Sequence, residues 1–195
     1  MKWVHQLDNF RRERQAARAA RFRFLRGFEE IRGDGFRLVL EEKLPEDLVH
    51  GWVPSYRFTM RPLHGRAELG TIDIRIGDNE NIYYAGHIGY RVHPPYRGHH
   101  MAEKACRLIV RIARAHGMNQ VVITCNPDNL PSRRTIERLG ARLESIVDIP
   151  PDNELYLYGD RQKCRFIWDV PATDVSATDV SGTDVSATDV TGDGQ

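Results

Sequence analysis

Residues 92–102, Val-His-Pro-Pro-Tyr-Arg-Gly-His-His-Met-Ala, lead from a strand-like run through a loop with two prolines and a glycine into an amphipathic helix. Such a loop gathers the N–H groups that the first turn of a helix leaves without partners, at the positive end of the helix dipole. Arg97 adds a fixed positive charge beside them. The chemistry that suits this arrangement is the holding of phosphate. The plain alternative is an ordinary strand-to-helix connection.

The elements that must position this loop are legible from periodicity. From Gly98 to His116 apolar residues recur at helical spacing, with Met101, Ala105, Leu108, Ile109 and Ile112 on one side and Lys104, Arg107, Arg111 and Arg114 on the other. Gly117 is placed to end that helix. Ahead of the loop, β-type runs at Phe36–Glu42, Tyr56–Met60, Leu69–Ile76 and Ile82–Val92 are separated by Pro, Gly, Asp and Asn clusters and read as an antiparallel meander. Strict alternation from Gly70 to Ile76 predicts Ile72, Ile74 and Ile76 on a buried face and a polar opposite face. Behind the helix, Val121–Cys125 reads as a central strand covered on both faces. Asn129 and Pro131 open a second helix that Gly140 closes, and strands over residues 142–149 and 164–170 complete the body.

The two ends differ from the body. Ala17, Ala20, Phe24, Phe28 and Ile31 lie at helical intervals, with Arg11, Arg14, Arg18 and Arg21 in a second stripe, so residues 1–34 are expected to carry a basic amphipathic helix packed on the domain. Residues 171–195 repeat a five-residue period about four times. That is too few units to stack into a β-helix with a core, and the segment is assigned as a disordered acidic tail. The 195 residues, 41% hydrophobic, suit one well-filled core over 35–170.

Formal net charge is +1, yet the tail holds five Asp and no Lys or Arg, leaving 28 basic against 22 acidic residues in the remainder. A moderately basic body suits an anionic ligand such as a nucleotide or CoA and falls short of a dedicated nucleic-acid binder. Cys106, Cys125 and Cys164 never form a C-x-x-C, as expected of buried thiols in a reducing, cytoplasmic setting. No apolar stretch approaches a membrane span, and Arg interrupts any signal-type segment at the N-terminus. His93, His99 and His100 lack the spacing of metal ligands, so no metal is expected.

The order of strands, the Arg-Gly loop opening a helix, the following strand, and Asn129 with Ser132 opening a second helix closed by Gly140 resemble the GNAT superfamily of acyl-CoA-dependent N-acetyltransferases, closely over residues 66–145. The resemblance implies a mixed α+β, three-layer fold whose mostly antiparallel twisted sheet is splayed between two parallel strands and flanked by helices. It implies that the signature Gln/Arg-x-x-Gly-x-Gly/Ala, here Arg97-Gly98-His99-His100-Met101-Ala102, wraps the CoA pyrophosphate. His100 stands where the family has its central Gly, and two arrangements follow: its ring points away while its N–H still donates, or it meets the phosphates itself. The backbone of Tyr90, Arg91 and Val92 is expected to pair with pantetheine like a further strand. Ile136 stands where the family commonly has a Tyr that protonates the departing thiolate. A thiol with pKa near ~8.5 leaves tolerably without that help.

The implied reaction is direct transfer of acetyl from acetyl-CoA to a primary amine. An amine with pKa about 10.4 is almost wholly protonated at neutral pH, so a base is useful. The family layout puts it on the strand before the loop, where His87, Tyr84 and Glu80 are the candidates and His87 has the fitting intrinsic pKa. Lys43 to Pro54 is too short for the two helices that usually wall the acceptor site, so that site should be more open, or be covered by the N-terminal helix. The alternative function is a non-catalytic acyl-CoA-binding or regulatory module. Neither a membrane nor a nucleic acid is an expected partner, and a homodimer is left open.

Overall fold

The structure, a computed structural model, describes residues 22–172. Strands β1 (Glu30–Arg32), β2 (Phe36–Leu44), β3 (Ser55–Pro62), β4 (Gly70–Arg75) and β5 (Ile88–Val92) form one antiparallel sheet in sequential order. Helix α1 (Glu80–Ala85) interrupts the path from β4 to β5. A 3-10 turn (Pro94–Tyr96) leads into helix α2 (Met101–Ala115), followed by β6 (Gln120–Cys125), helix α3 (Leu130–Arg138), β7 (Arg142–Asp148), the short helix α4 (Glu154–Leu157) and β8 (Gln162–Asp169). The last three strands make a second antiparallel sheet in the order β6-β8-β7.

Helix α2 packs on the first sheet because its apolar stripe meets the buried face of the alternating strand. Ala105, Cys106, Ile109 and Ile112 lie against a core that holds Ile72, Ile74, Phe58 and Met60, all essentially inaccessible. Burying each large aliphatic side chain stabilises the fold by about 1.5–3 kcal/mol. Ile76 is buried as alternation requires. The three cysteines are buried and unpaired. No helix among the described residues is long and apolar enough to cross a membrane.

The two sheets are joined where His87 meets Val122. The His87 N–H donates to the Val122 carbonyl at 2.7 Å, and the Val122 N–H donates back to the His87 ring Nδ1 at 2.8 Å. Gly86 makes the approach feasible, since a β-carbon there would stand 3.0 Å from the Val122 oxygen. Past this joint, β5 has β4 as its partner on one side and an open edge on the other, the split expected of the splayed sheet.

Three expectations about elements are corrected. The helix anticipated to run to Ile31 lies outside the described residues up to Arg21. From Phe22 onward the chain follows an irregular path and then forms β1, which joins the sheet. Tertiary contacts override the helical spacing there. Phe22 stacks on His116 with centroids 4.9 Å apart, Phe24 meets Tyr56 edge-on at 5.1 Å, and the Leu25 N–H donates to the Tyr56 hydroxyl at 2.7 Å. The run Ile82–Val92 is a helix followed by a strand, because Asn79 caps α1 through the Ile82 N–H and Gly86, at φ 73°, ends it. Strand β6 is the outer strand of its sheet, with alternating burial. The segment beyond Ala172, including the repeats, lies outside the described residues.

Candidate active site

The edge of β5, the loop after it and the first turns of α2 and α3 enclose a cleft of about 540 Å³. Tyr90, Arg91, Val92, Arg97, Gly98, His100, Met101, Ala102, Asn129 and Ser132 all line it, and His99, which is exposed, does not. The β4–β5 register decides what each β5 residue offers. The bonds from the Arg75 N–H to the His87 carbonyl and from the His93 N–H to the Leu69 carbonyl bracket the ladder. By the alternation of antiparallel pairing, the Arg91 backbone turns inward to β4, while the N–H and C=O groups of Tyr90 and Val92 face the open edge. The Val92 carbonyl is taken by Arg97 Nε at 3.0 Å, which ties the loop to the strand end.

His100 solves its departure from glycine by adopting the left-handed conformation itself, at φ 53° and ψ 23°, the one positive φ among the described residues other than glycines. Its Nδ1 lies 3.6 Å from Glu103 Oε2, so the ring is drawn along α2. Its side chain accepts no capping hydrogen bond from the first turn, and the first amides of α2 keep their donors for another acceptor. On the facing wall Asn129 caps α3 by accepting the Ser132 N–H at 3.2 Å, and the Tyr90 hydroxyl meets Ser132 Oγ at 2.8 Å. Burial pushes the Tyr90 phenol well above its ordinary pKa.

Sequence reasoning missed two cationic walls of this cleft. Arg134 and Arg138, one turn apart on α3, line it beside Arg91 and Arg97. Glu103 of α2 lies 3.1 Å from Arg107 and 4.0 Å from Arg138. The i, i+4 spacing of the two arginines behind the Asn129 cap was the available signal. Among the described residues no group of three or more His, Cys, Asp or Glu gathers as a metal site would require.

The three residues expected to carry the base lie elsewhere. Glu80 and Tyr84 sit on α1 and His87 at the sheet joint, and none lines this cleft or the cavity described next. His87 is 2% exposed. Its Nδ1 accepts from Val122, so the proton belongs on Nε2, which stands 3.2 Å from Asp78 Oδ1. Burial pulls its pKa below the ordinary imidazole value, with Asp78 opposing. With its one lone pair, on Nδ1, taken by the Val122 N–H and Nε2 buried without a partner of hydrogen-bond geometry, the ring fastens the sheets and has no lone pair to offer an amine.

On the face of the first sheet opposite α2 lies a second cavity, of about 740 Å³, bounded by the β2–β3 loop, α1 and the start of α4. Its floor carries Asp73 of β4, which faces Gly89 of β5 in the register. A β-carbon at Gly89 would stand 2.7 Å from Asp73 Oδ1, so the glycine lets the carboxylate lie across β5. Asp73 pairs with Arg75 at 2.9 Å, and burial raises its pKa against the pull of Arg75 and Arg57. The signal was the polar face of the alternating run. As expected from its length, Lys43–Pro54 forms no helix. It is a turn closed by a two-way backbone bridge between Asp47 and Trp52, each bond 2.9 Å.

The split antiparallel sheet agrees with the acetyltransferase fold expected from the sequence, and an arginine-lined cleft lies at the split. The chain belongs to the GNAT acetyltransferase family: the domain described as Acetyltransferase (GNAT) domain matches residues 1–142. A curated relative, the uncharacterized N-acetyltransferase YnaD of Bacillus subtilis (strain 168), is 30% identical over 78 residues, 37% of this chain and 46% of that protein. The chain thus spans about half the length of that relative. The ribosomal-protein-S5-alanine acetyltransferase of Vibrio fischeri shares the fold at 14% identity, with a TM-score of 0.55 over 73% of this chain and 97% of its own. RimL, a ribosomal L7/L12 alpha-N-protein acetyltransferase in complex with coenzyme A, does so at 16% identity, with a TM-score of 0.53 over 73% and 98%.

Proposed function

We propose that this protein is an N-acetyltransferase that moves the acetyl group of acetyl-CoA directly to a primary amine. The observation that carries this reading is the cleft where the open edge of β5, the uncapped start of α2 and four arginines converge. Arg97, Arg134 and Arg138 supply charge for the CoA phosphates, and the amides after His100 supply donors. The outward N–H of Tyr90 suits an amide of pantetheine, which would set the thioester along β5. The family membership and the CoA complex of RimL point the same way.

In the reaction the amine nitrogen attacks the thioester carbonyl, a C–N bond forms, the C–S bond breaks to release CoA thiolate, and the proton left on the nitrogen passes through solvent to the thiolate. The ammonium must first lose a proton, and Asp73, on the cavity floor where its carboxylate lies across β5 at Gly89, is the carboxylate assigned to take it; burial raises its pKa above the ordinary carboxylate value. The thiolate departs without an assigned acid, because Ile136 is fully buried where a hydroxyl would be required. The test is thiol release from acetyl-CoA across a panel of primary amines. Amine-dependent release is expected, and Asp73→Asn should lower kcat/KM about 10²- to 10⁴-fold while leaving acetyl-CoA affinity intact. Tight binding with no release on any amine would mark a non-catalytic acyl-CoA-binding module instead.

A further inference from the structure

We propose that the 740 Å³ cavity is the acceptor pocket and that it takes a singly charged primary amine carried on an apolar, ring-sized body. The inference rests on the acetyltransferase reading and specifies its substrate class. The walls are dominated by carbon: Leu44, Leu48, Trp52, Val53, Ile82 and Leu155 surround the floor. Leu48 and Trp52 are 82% and 52% exposed, an expense that a loop with no apolar partner has no reason to carry. The loop is held in place despite that exposure. Asn79 Nδ2 donates to the Gly51 carbonyl at 2.8 Å, and Asn81 Nδ2 to the carbonyls of His50 and Gly51 at 2.9 Å. Gly51 takes φ 66°, and Trp52 is backed by His50, with ring centroids 4.9 Å apart. A pre-shaped apolar wall of this kind receives a ligand without the entropy of ordering it.

Charge fixes the sign and the number. Asp73, Glu46, Asp47 and Glu154 face two guanidiniums, Arg57 and Arg75, so the cavity favours a cation. Most of this charge is committed. Arg57 bonds Glu42 at 2.9 Å, Asp47 accepts the Val49 and His50 N–H groups and pairs with the His50 ring, and Glu154 accepts the Tyr158 hydroxyl at 3.1 Å. Asp73 is itself paired with Arg75 at 2.9 Å, but it is the one carboxylate of the cavity on the strand floor beside β5, and that position assigns it to the amine, with the apolar walls left for the body. A polyamine would have to lay its further ammonium groups along carbon walls, at a desolvation cost.

The experiment compares 2-phenylethylamine, butane-1,4-diamine and glycine as acceptors with saturating acetyl-CoA, with acetyl-CoA affinity measured separately by titration calorimetry. The expected result is a kcat/KM for 2-phenylethylamine at least about tenfold above the other two. Trp52→Ala should raise the KM for 2-phenylethylamine about tenfold, Trp52→Phe should restore most of it, and neither should change acetyl-CoA affinity. Preference for the diamine or glycine, or an unchanged KM in Trp52→Ala, would overturn the inference while leaving the acetyltransferase reading in place. Loss of acetyl-CoA binding in the wild-type protein would overturn that reading itself.

Discussion

Asp73 and His87 show how environment assigns roles that residue type alone does not. His87 has the intrinsic pKa of a base, but the Val122 N–H occupies its Nδ1 and burial holds it neutral. Asp73 is ordinarily a weak base, yet burial raises its pKa at the floor of a cavity. His87→Ala is therefore expected to cost stability, measured as a lower midpoint in urea, rather than to abolish amine-dependent turnover in the folded fraction. Asp73→Asn should do the reverse. That His87 sits against Val122 was not legible in the sequence, because it turns on which strand abuts which, a long-range fact. The polar face that holds Asp73 was nevertheless written in the alternation from Gly70 to Ile76.

At the scale of elements, the path from strand through loop to helix over residues 88–115 is where sequence and structure agree best, because it is local. Arg97 to Ala102 connects a strand to a helix over a few residues, and His100 needs nothing beyond its own left-handed backbone. The N-terminal segment shows the opposite case: its helical spacing yields to contacts of Phe22 and Phe24 with His116 and Tyr56, which no local pattern announces. Two predictions belong here. Ile109→Ala, on the inaccessible face of α2, should destabilise the fold by about 2–5 kcal/mol in denaturant titration, and a loss under ~1 kcal/mol would contradict the packing described. Asn81→Ala should free the β2–β3 loop from α1 and raise the acceptor KM while leaving acetyl-CoA affinity unchanged. Equal loss of both affinities would mean that the loop also shapes the donor cleft.

For the whole molecule, a buried imidazole, His87, and a half-buried one, His116, hold distant parts together in neutral form. His87 joins the two sheets, and His116 receives the Tyr56 hydroxyl at 2.8 Å beneath the N-terminal segment. Burial lowers both pKa values, so between the folded values and the unfolded value of 6.5 the unfolded chain binds more protons. Stability should accordingly be fully present above pH 6.5 and decline as pH falls below it. Chemical denaturation from pH 8 to 5 checks this, and a stability that held level or rose on acidification would contradict it.

The central claim is that the cleft between β5 and α3 holds acetyl-CoA by its phosphates. Titration calorimetry of acetyl-CoA into the wild-type protein and into Arg134→Glu, whose side chain lines the cleft from α3, tests it most directly. The account predicts saturable binding that weakens about tenfold or more in the variant and falls with added salt. Equal affinity in the two proteins would contradict it.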